Sequence, residues 1–93
     1  MRVHVLAEQD LIRIWEYSFA EWGTAHADAY LEHIDRCIQS LSRNPRSGLQ
    51  RDHVRKGYRG LFVKRHAVYY TVGRSFVQVV RVLHAQMDPG VHL

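Results

Sequence analysis

Two arginines stand where arginine is uncommon. Arg59 and Arg81 each fall inside a run of strand-forming residues, Tyr58–Lys64 and Phe76–Leu83. A guanidinium in such a place can hold a phosphate or carboxylate through its fixed fork of donors. The plainer option is a solvent-facing or edge charge, because charged side chains in strands are mostly exposed. Three positions after Arg81 comes His84, an imidazole able to titrate near neutral pH. The remaining histidines, His4, His26, His33, His53, His66 and His92, lack ligand spacing for a metal. His26 and His33 are seven apart with no third ligand close by. No metal or other cofactor is expected. Cys37 is the single cysteine, which excludes an intramolecular disulfide and a Cys-rich zinc site. Beside Ile38 it reads as a semi-buried core thiol.

A second group of charges is denser. Arg43, Arg46, Arg51, Arg55 and Lys56 crowd a polar stretch, residues 43–57, that also holds Pro45, Gly48 and Gly57. Such a loop could meet a nucleic acid, a nucleic-acid enzyme or an acidic peptide by charge complementarity, or simply be solvated. Direct DNA recognition by this chain alone is the weaker option, because no recognition helix carries the charge. The net charge of +4 conceals a division of sign. Residues 1–42 hold three basic and seven acidic residues, a balance of −4. Residues 43–93 hold ten basic and two acidic residues, a balance of +8.

The elements that position these side chains follow from periodicity. Val3 and Val5 alternate, consistent with a short strand over residues 2–6. From Glu8 the period becomes helical: Leu11, Ile14, Trp15, Ser18 and Trp22 share a face. Glu8 and Asp10 then fall in the first turn, where carboxylates favour the helix dipole. Gly23 reads as the stop, with Thr24 as cap of a second helix. Ala27, Tyr30, Leu31, Ile34, Ile38 and Leu41 repeat at helical spacing until Asn44-Pro45 ends the run. The short link predicts an antiparallel helical hairpin. Trp15, Trp22 and Tyr30 read as core on this spacing. A helical turn near Asp52–Arg55 interrupts the basic loop. Three strands follow, over Tyr58–Lys64, His66–Val72 and Phe76–Leu83, with Gly73 offering positive φ to the last hairpin. In the final strand Val77, Val79, Arg81 and Leu83 should point one way. The tail from His84 has no clear period, and Pro89-Gly90 breaks any long helix.

The order β-α-α-β-β-β predicts an α+β domain covering residues 1–93. An N-terminal strand and an antiparallel helical hairpin pack on a small, mainly antiparallel sheet whose other face is free. At 93 residues the buried fraction of surface is modest, so a partner covering apolar surface matters to stability. No run approaches the length of a membrane span. The opening Met1–Leu6 stretch is too short and too interrupted for a signal peptide, so a cytoplasmic protein is expected.

The chain resembles the ParE-type toxins of the RelE/ParE superfamily. The residues that carry the resemblance run its full length. They include Ala7-Glu8-Gln9-Asp10-Leu11, Ile14-Trp15-Glu16-Tyr17, Trp22-Gly23, Tyr30 and Leu41. Asn44-Pro45-Arg46-Ser47-Gly48, Gly57-Tyr58-Arg59 and His66-Ala67-Val68-Tyr69-Tyr70 follow. The ending Arg81-Val82-Leu83-His84-Ala85-Gln86-Met87-Asp88, with His92-Leu93, points to the ParE branch. The resemblance implies a type II toxin–antitoxin toxin that inhibits DNA gyrase and so replication. It implies neutralisation by a cognate ParD-like antitoxin with a DNA-binding N-terminal segment. Target-binding candidates are Arg59, Arg81, His84, Met87 and Asp88, and no catalytic residue is then expected. The alternative is the RelE branch, whose members cut messenger RNA on the ribosome. That chemistry needs a general base, a general acid and cations for phosphorane charge, which Arg59, Arg81 and His84 would supply. No tyrosine follows Tyr70, so the C-terminal catalytic tyrosine of that branch is missing.

Overall fold

A computed structural model describes residues 1–93. The element order is β1 (Arg2–Val3), α1 (Val5–Trp22), α2 (Thr24–Ser40), β2 (Leu49–Gln50), β3 (Tyr58–Val63), β4 (His66–Val72), β5 (Val77–His84) and α3 (Pro89–His92). The expected α+β arrangement is present, with two short elements added. β2 lies inside the basic loop, and α3 lies in the tail. The sheet order is β1-β5-β4-β3-β2, parallel only between β1 and β5.

Helix α1 starts three residues earlier than the apolar period suggests. His4 has extended backbone, and its Nδ1 accepts the Leu6 N–H at 3.1 Å, capping the first turn. Asp10 therefore lies in the second turn and not the first. One residue, Gly23 at φ 88°, joins the helices. That left-handed value suits glycine. Thr24 is already helical, so Gly23 stands at the cap position without a side-chain bond. α2 ends at Ser40, before Asn44-Pro45, and the chain tightens through Leu41 N–H to Ile38 O.

The main core joins Ala7 and Ile14 of α1, Ile34 and Ile38 of α2, and Leu41 to sheet residues Val63, Val68, Tyr70, Val77, Val79 and Val82. Strict alternation in β5 does not hold. Tyr70 pairs with Val79 and Tyr69 pairs with Arg81, so Val80 is the extra residue of a bulge. Val82 consequently joins Val77 and Val79 in the helix-side core, while Leu83 joins Ala67 and Tyr69 in a second cluster. That second face is not wholly free, because Leu93 packs on it.

Positive φ occurs at Lys64, φ 52°, in the two-residue turn between β3 and β4. Gly73 does not use it. The β4–β5 connection is instead closed by the Gly73 N–H to Phe76 O bond at 2.9 Å. Trp22 is not core: it is 51 % exposed at the end of α1. There it meets His26 in the first turn of α2, with ring centroids 4.9 Å apart.

Candidate functional site

A groove of about 1060 Å³ opens between the helical hairpin and one end of the sheet. Arg13, Tyr17 and Trp22 of α1 and His26 and Tyr30 of α2 form one wall. Lys64–His66 of the β3–β4 turn, Arg81 and His84 of β5, and Met87 and His92 of the tail form the other. The helix repeat puts Asp10, Arg13, Ile14 and Tyr17 on the side that looks into it. Tyr17 is 62 % exposed there. The groove has one carboxylate, Asp10, against several cations.

That carboxylate is fully engaged. Asp10 Oδ2 accepts from Arg81 Nε at 2.8 Å, and Oδ1 accepts from Arg81 Nη2 at 2.9 Å. Oδ2 also accepts the Val82 N–H at 3.0 Å. The side chains of Arg81 and Asp10 are only 14 % and 7 % exposed. Arg81 Nη1 donates further to His92 O at 3.1 Å. One guanidinium thus ties α1, β5 and the tail together. Its hydrogen bond to Asp10 raises its pKa further, despite its burial. β1 covers only the start of β5, and Asp10 supplies the acceptor that a longer β1 would have given to Val82.

Beside this clamp, Tyr30 Oη lies 2.6 Å from His66 Nδ1, and the His66 and His84 rings meet edge to face at 5.3 Å. Burial, reinforced by the neighbouring His84, pushes His66 down to about 4. His66 is therefore neutral at physiological pH. His84 Nδ1 accepts the Gln86 N–H at 3.1 Å, which leaves Nε2 as the other ring nitrogen. Burial raises the Tyr30 hydroxyl, with Arg65 opposing.

The structure brings Arg81, His84 and Met87 to the groove. Asp88 lies next to it as the N-cap of α3, its Oδ1 accepting Gly90 N–H at 2.8 Å. Arg59 is elsewhere. Its Nη1 donates to Gly48 O at 2.8 Å, fastening the basic loop to β3. Arg43 and Arg46 border a separate polar hollow of about 470 Å³ with Ser40, Asn44, Pro45 and Ser47. Neither sheet arginine is a free solvent-facing charge, since each bonds to the protein itself.

Sequence reasoning did not find Asp10, Tyr30 or His66 as members of one site. A signal existed for the first. Ala7, Asp10, Ile14 and Ser18 follow the helical repeat of the buried face, and a carboxylate on such a face demands a partner. Only the pairing of β4 with β5, His66 opposite His84, reveals the others.

Comparison with known proteins gives consistent results. Toxin ParE1 of Mycobacterium tuberculosis (strain H37Rv) is 39 % identical over 83 residues, 88 % of this chain and 85 % of that protein. Toxin ParE1 of Caulobacter vibrioides is 36 % identical over 87 residues, 94 % and 90 % of the two chains. A chain of the chromosomal ParDE toxin–antitoxin system from P. aeruginosa superposes with a TM-score of 0.82, covering 91 % of this chain and 94 % of its own. At 18 % identity that likeness establishes a shared fold. Residues 1–89 match the family described as the ParE toxin of the type II toxin–antitoxin system parDE. The chain therefore belongs to the ParE family of type II toxin–antitoxin toxins.

Proposed function

We propose that residues 1–93 form a single toxin unit that inhibits DNA gyrase in the cytoplasm, blocks replication, and is neutralised by a ParD-like antitoxin. The observation that carries this is the match of residues 1–89 to the ParE family. The action is that of a protein inhibitor and not of an enzyme. Two features support that choice over RNA cleavage. Arg81 is bound bidentately by Asp10, and Arg59 is bonded to Gly48 O at the far end of β3. Arg59 and Arg81 are therefore not a pair of free guanidiniums aimed at one phosphate.

The groove suits an antitoxin segment with an apolar stripe and acidic flanks. Tyr17, Trp22, Tyr30 and Met87 offer apolar surface, and Arg13, Lys64 and Arg65 offer charge. Gyrase would touch His84 and Met87 on the same rim, while Arg81 and Asp88 hold the tail in place. Seating the antitoxin there covers the rim. No helix is long and apolar enough to cross a membrane.

The test is a supercoiling assay with purified gyrase and toxin. Inhibition by the toxin, relieved by antitoxin, is the expected result. Intact gyrase activity at toxin excess, together with cut messenger RNA in a translation extract, would overturn the reading in favour of the RelE-type ribonuclease.

A further inference from the structure

The basic loop lies apart from the groove. It begins where α2 ends and finishes where β3 starts, whereas the groove takes the start of α2 and the turn after β3. Six residues of β3 separate the two regions by roughly 20 Å. Arg43, Arg46, Arg55 and Lys56 are exposed, and Arg51 is half-buried. The one acidic residue among them, Asp52, accepts the Gly57 N–H at 2.8 Å. The one ion pair of the molecule is Arg81–Asp10. The five loop cations thus have no carboxylate partner.

The loop is also held in shape. Tyr70 Oη donates to Pro45 O at 2.7 Å and accepts from Gly48 N–H at 2.9 Å. Arg51 N–H bonds to Tyr58 O, and a helical turn returns Val54 and Arg55 N–H to Arg51 O. The Arg51 guanidinium lies over the Phe62 ring at 5.2 Å, and that of Arg55 over Tyr58 at 5.7 Å. Cations carried on a backbone already fixed by its own fold lose less entropy when they meet a polyanion.

We infer that residues 43–56 form a sequence-independent nucleic-acid phosphate surface, able to hold duplex DNA while the groove is occupied. The lining of the hollow decides between nucleic acid and an acidic peptide. It contains guanidiniums, hydroxyls and an amide, with the Pro45 ring as its one apolar side chain. Those are the groups that contact phosphate. A peptide site needs apolar pockets for its anchor residues. This surface stands independently of the gyrase reading, because it binds DNA with neither gyrase nor antitoxin present.

The experiment is fluorescence anisotropy of the full chain with two labelled 20-base-pair duplexes of unrelated sequence, from 50 to 200 mM salt. Wild-type toxin binds both equally, in the micromolar range typical of phosphate contacts, and weakens steeply with salt. The triple variant Arg43→Gln, Arg46→Gln, Lys56→Gln leaves the Arg51 and Arg55 stacking intact. It should bind at least about tenfold more weakly, with a log–log salt slope shallower by about 2–3. An equal-charge control, Arg2→Gln, Arg36→Gln, Arg74→Gln, should stay within about threefold of wild type. The proposal fails if the control loses as much affinity as the loop variant. It fails equally if wild type shows no binding, or if polyglutamate displaces DNA as well as unlabelled DNA does.

Discussion

Removing the Asp10 carboxylate tests the central strut of this fold. In Asp10→Ala the guanidinium of Arg81 remains largely enclosed without its counter-charge, and the Val82 N–H loses its acceptor. Breaking an enclosed pair from one side costs about 3–5 kcal/mol. The Arg81 side chain keeps 14 % exposure and its bond to His92 O, so the lower end applies, about 3 kcal/mol. A domain of this length has about 5–14 kcal/mol in total, so the loss is a large fraction. With a urea m-value of about 1.5 kcal/mol per molar, the midpoint falls by about 2 M. Urea unfolding followed by the fluorescence of Trp15 and Trp22 reads this directly. Replacing both members, Asp10→Leu with Arg81→Met, should recover most of the stability. The deficit left is about 1 kcal/mol for the unpaired Val82 N–H. A midpoint shift below about 0.5 M in Asp10→Ala, or no recovery in the double variant, would refute the assignment of Asp10 as strut.

Three further outcomes are expected. Tyr70→Phe removes the hydroxyl that serves Pro45 O and Gly48 N–H, lowers stability by about 2–3 kcal/mol, and speeds hydrogen exchange at Gly48. Stability should decline in acid through His66. The unfolded chain takes up its proton below pH 6.5, while folded His66 stays neutral to about 4. Its contribution is complete above pH 6.5 and is lost as the pH falls towards 4, on the order of 1 kcal/mol for a half-open site. Thermal melts of wild type and His66→Gln at pH 7 and 4.5 should show a larger acid loss in the wild type than in the variant. Arg13→Glu with Arg65→Glu reverses two groove cations and should weaken antitoxin binding at least about tenfold by titration calorimetry, with the urea midpoint unchanged.

The helices and the three long strands were legible because each repeats its period over several residues. β2 and α3 carry too few residues for a period to show, while the Val3–Val5 alternation marks β1 but overruns it, because Val5 opens α1. β2 exists because Leu49 and Gln50 pair with Gly60 and Arg59, a contact between distant residues. Alternation alone gives the wrong phase for β5 after Val79, because a bulge leaves no mark in composition. The candidate site was legible in part. His84 and Met87 stood out through family resemblance, and Arg81 through its unusual place in a strand. Its bond to Asp10, 71 positions away, depends on how α1 crosses the sheet. Trp22 misled because helical spacing describes a face, whereas burial also requires something opposite it.

The extra residue in β5 divides that strand into two segments of opposite parity. Val77, Val79 and, past the bulge, Val82 answer to the interior, whereas Leu83 answers to the opposite side. The residues after Val80 therefore lead into His84 and the tail on a phase of their own. One supernumerary valine thus lets a single strand give Val82 to the helix-side core and Arg81 to the Asp10 strut.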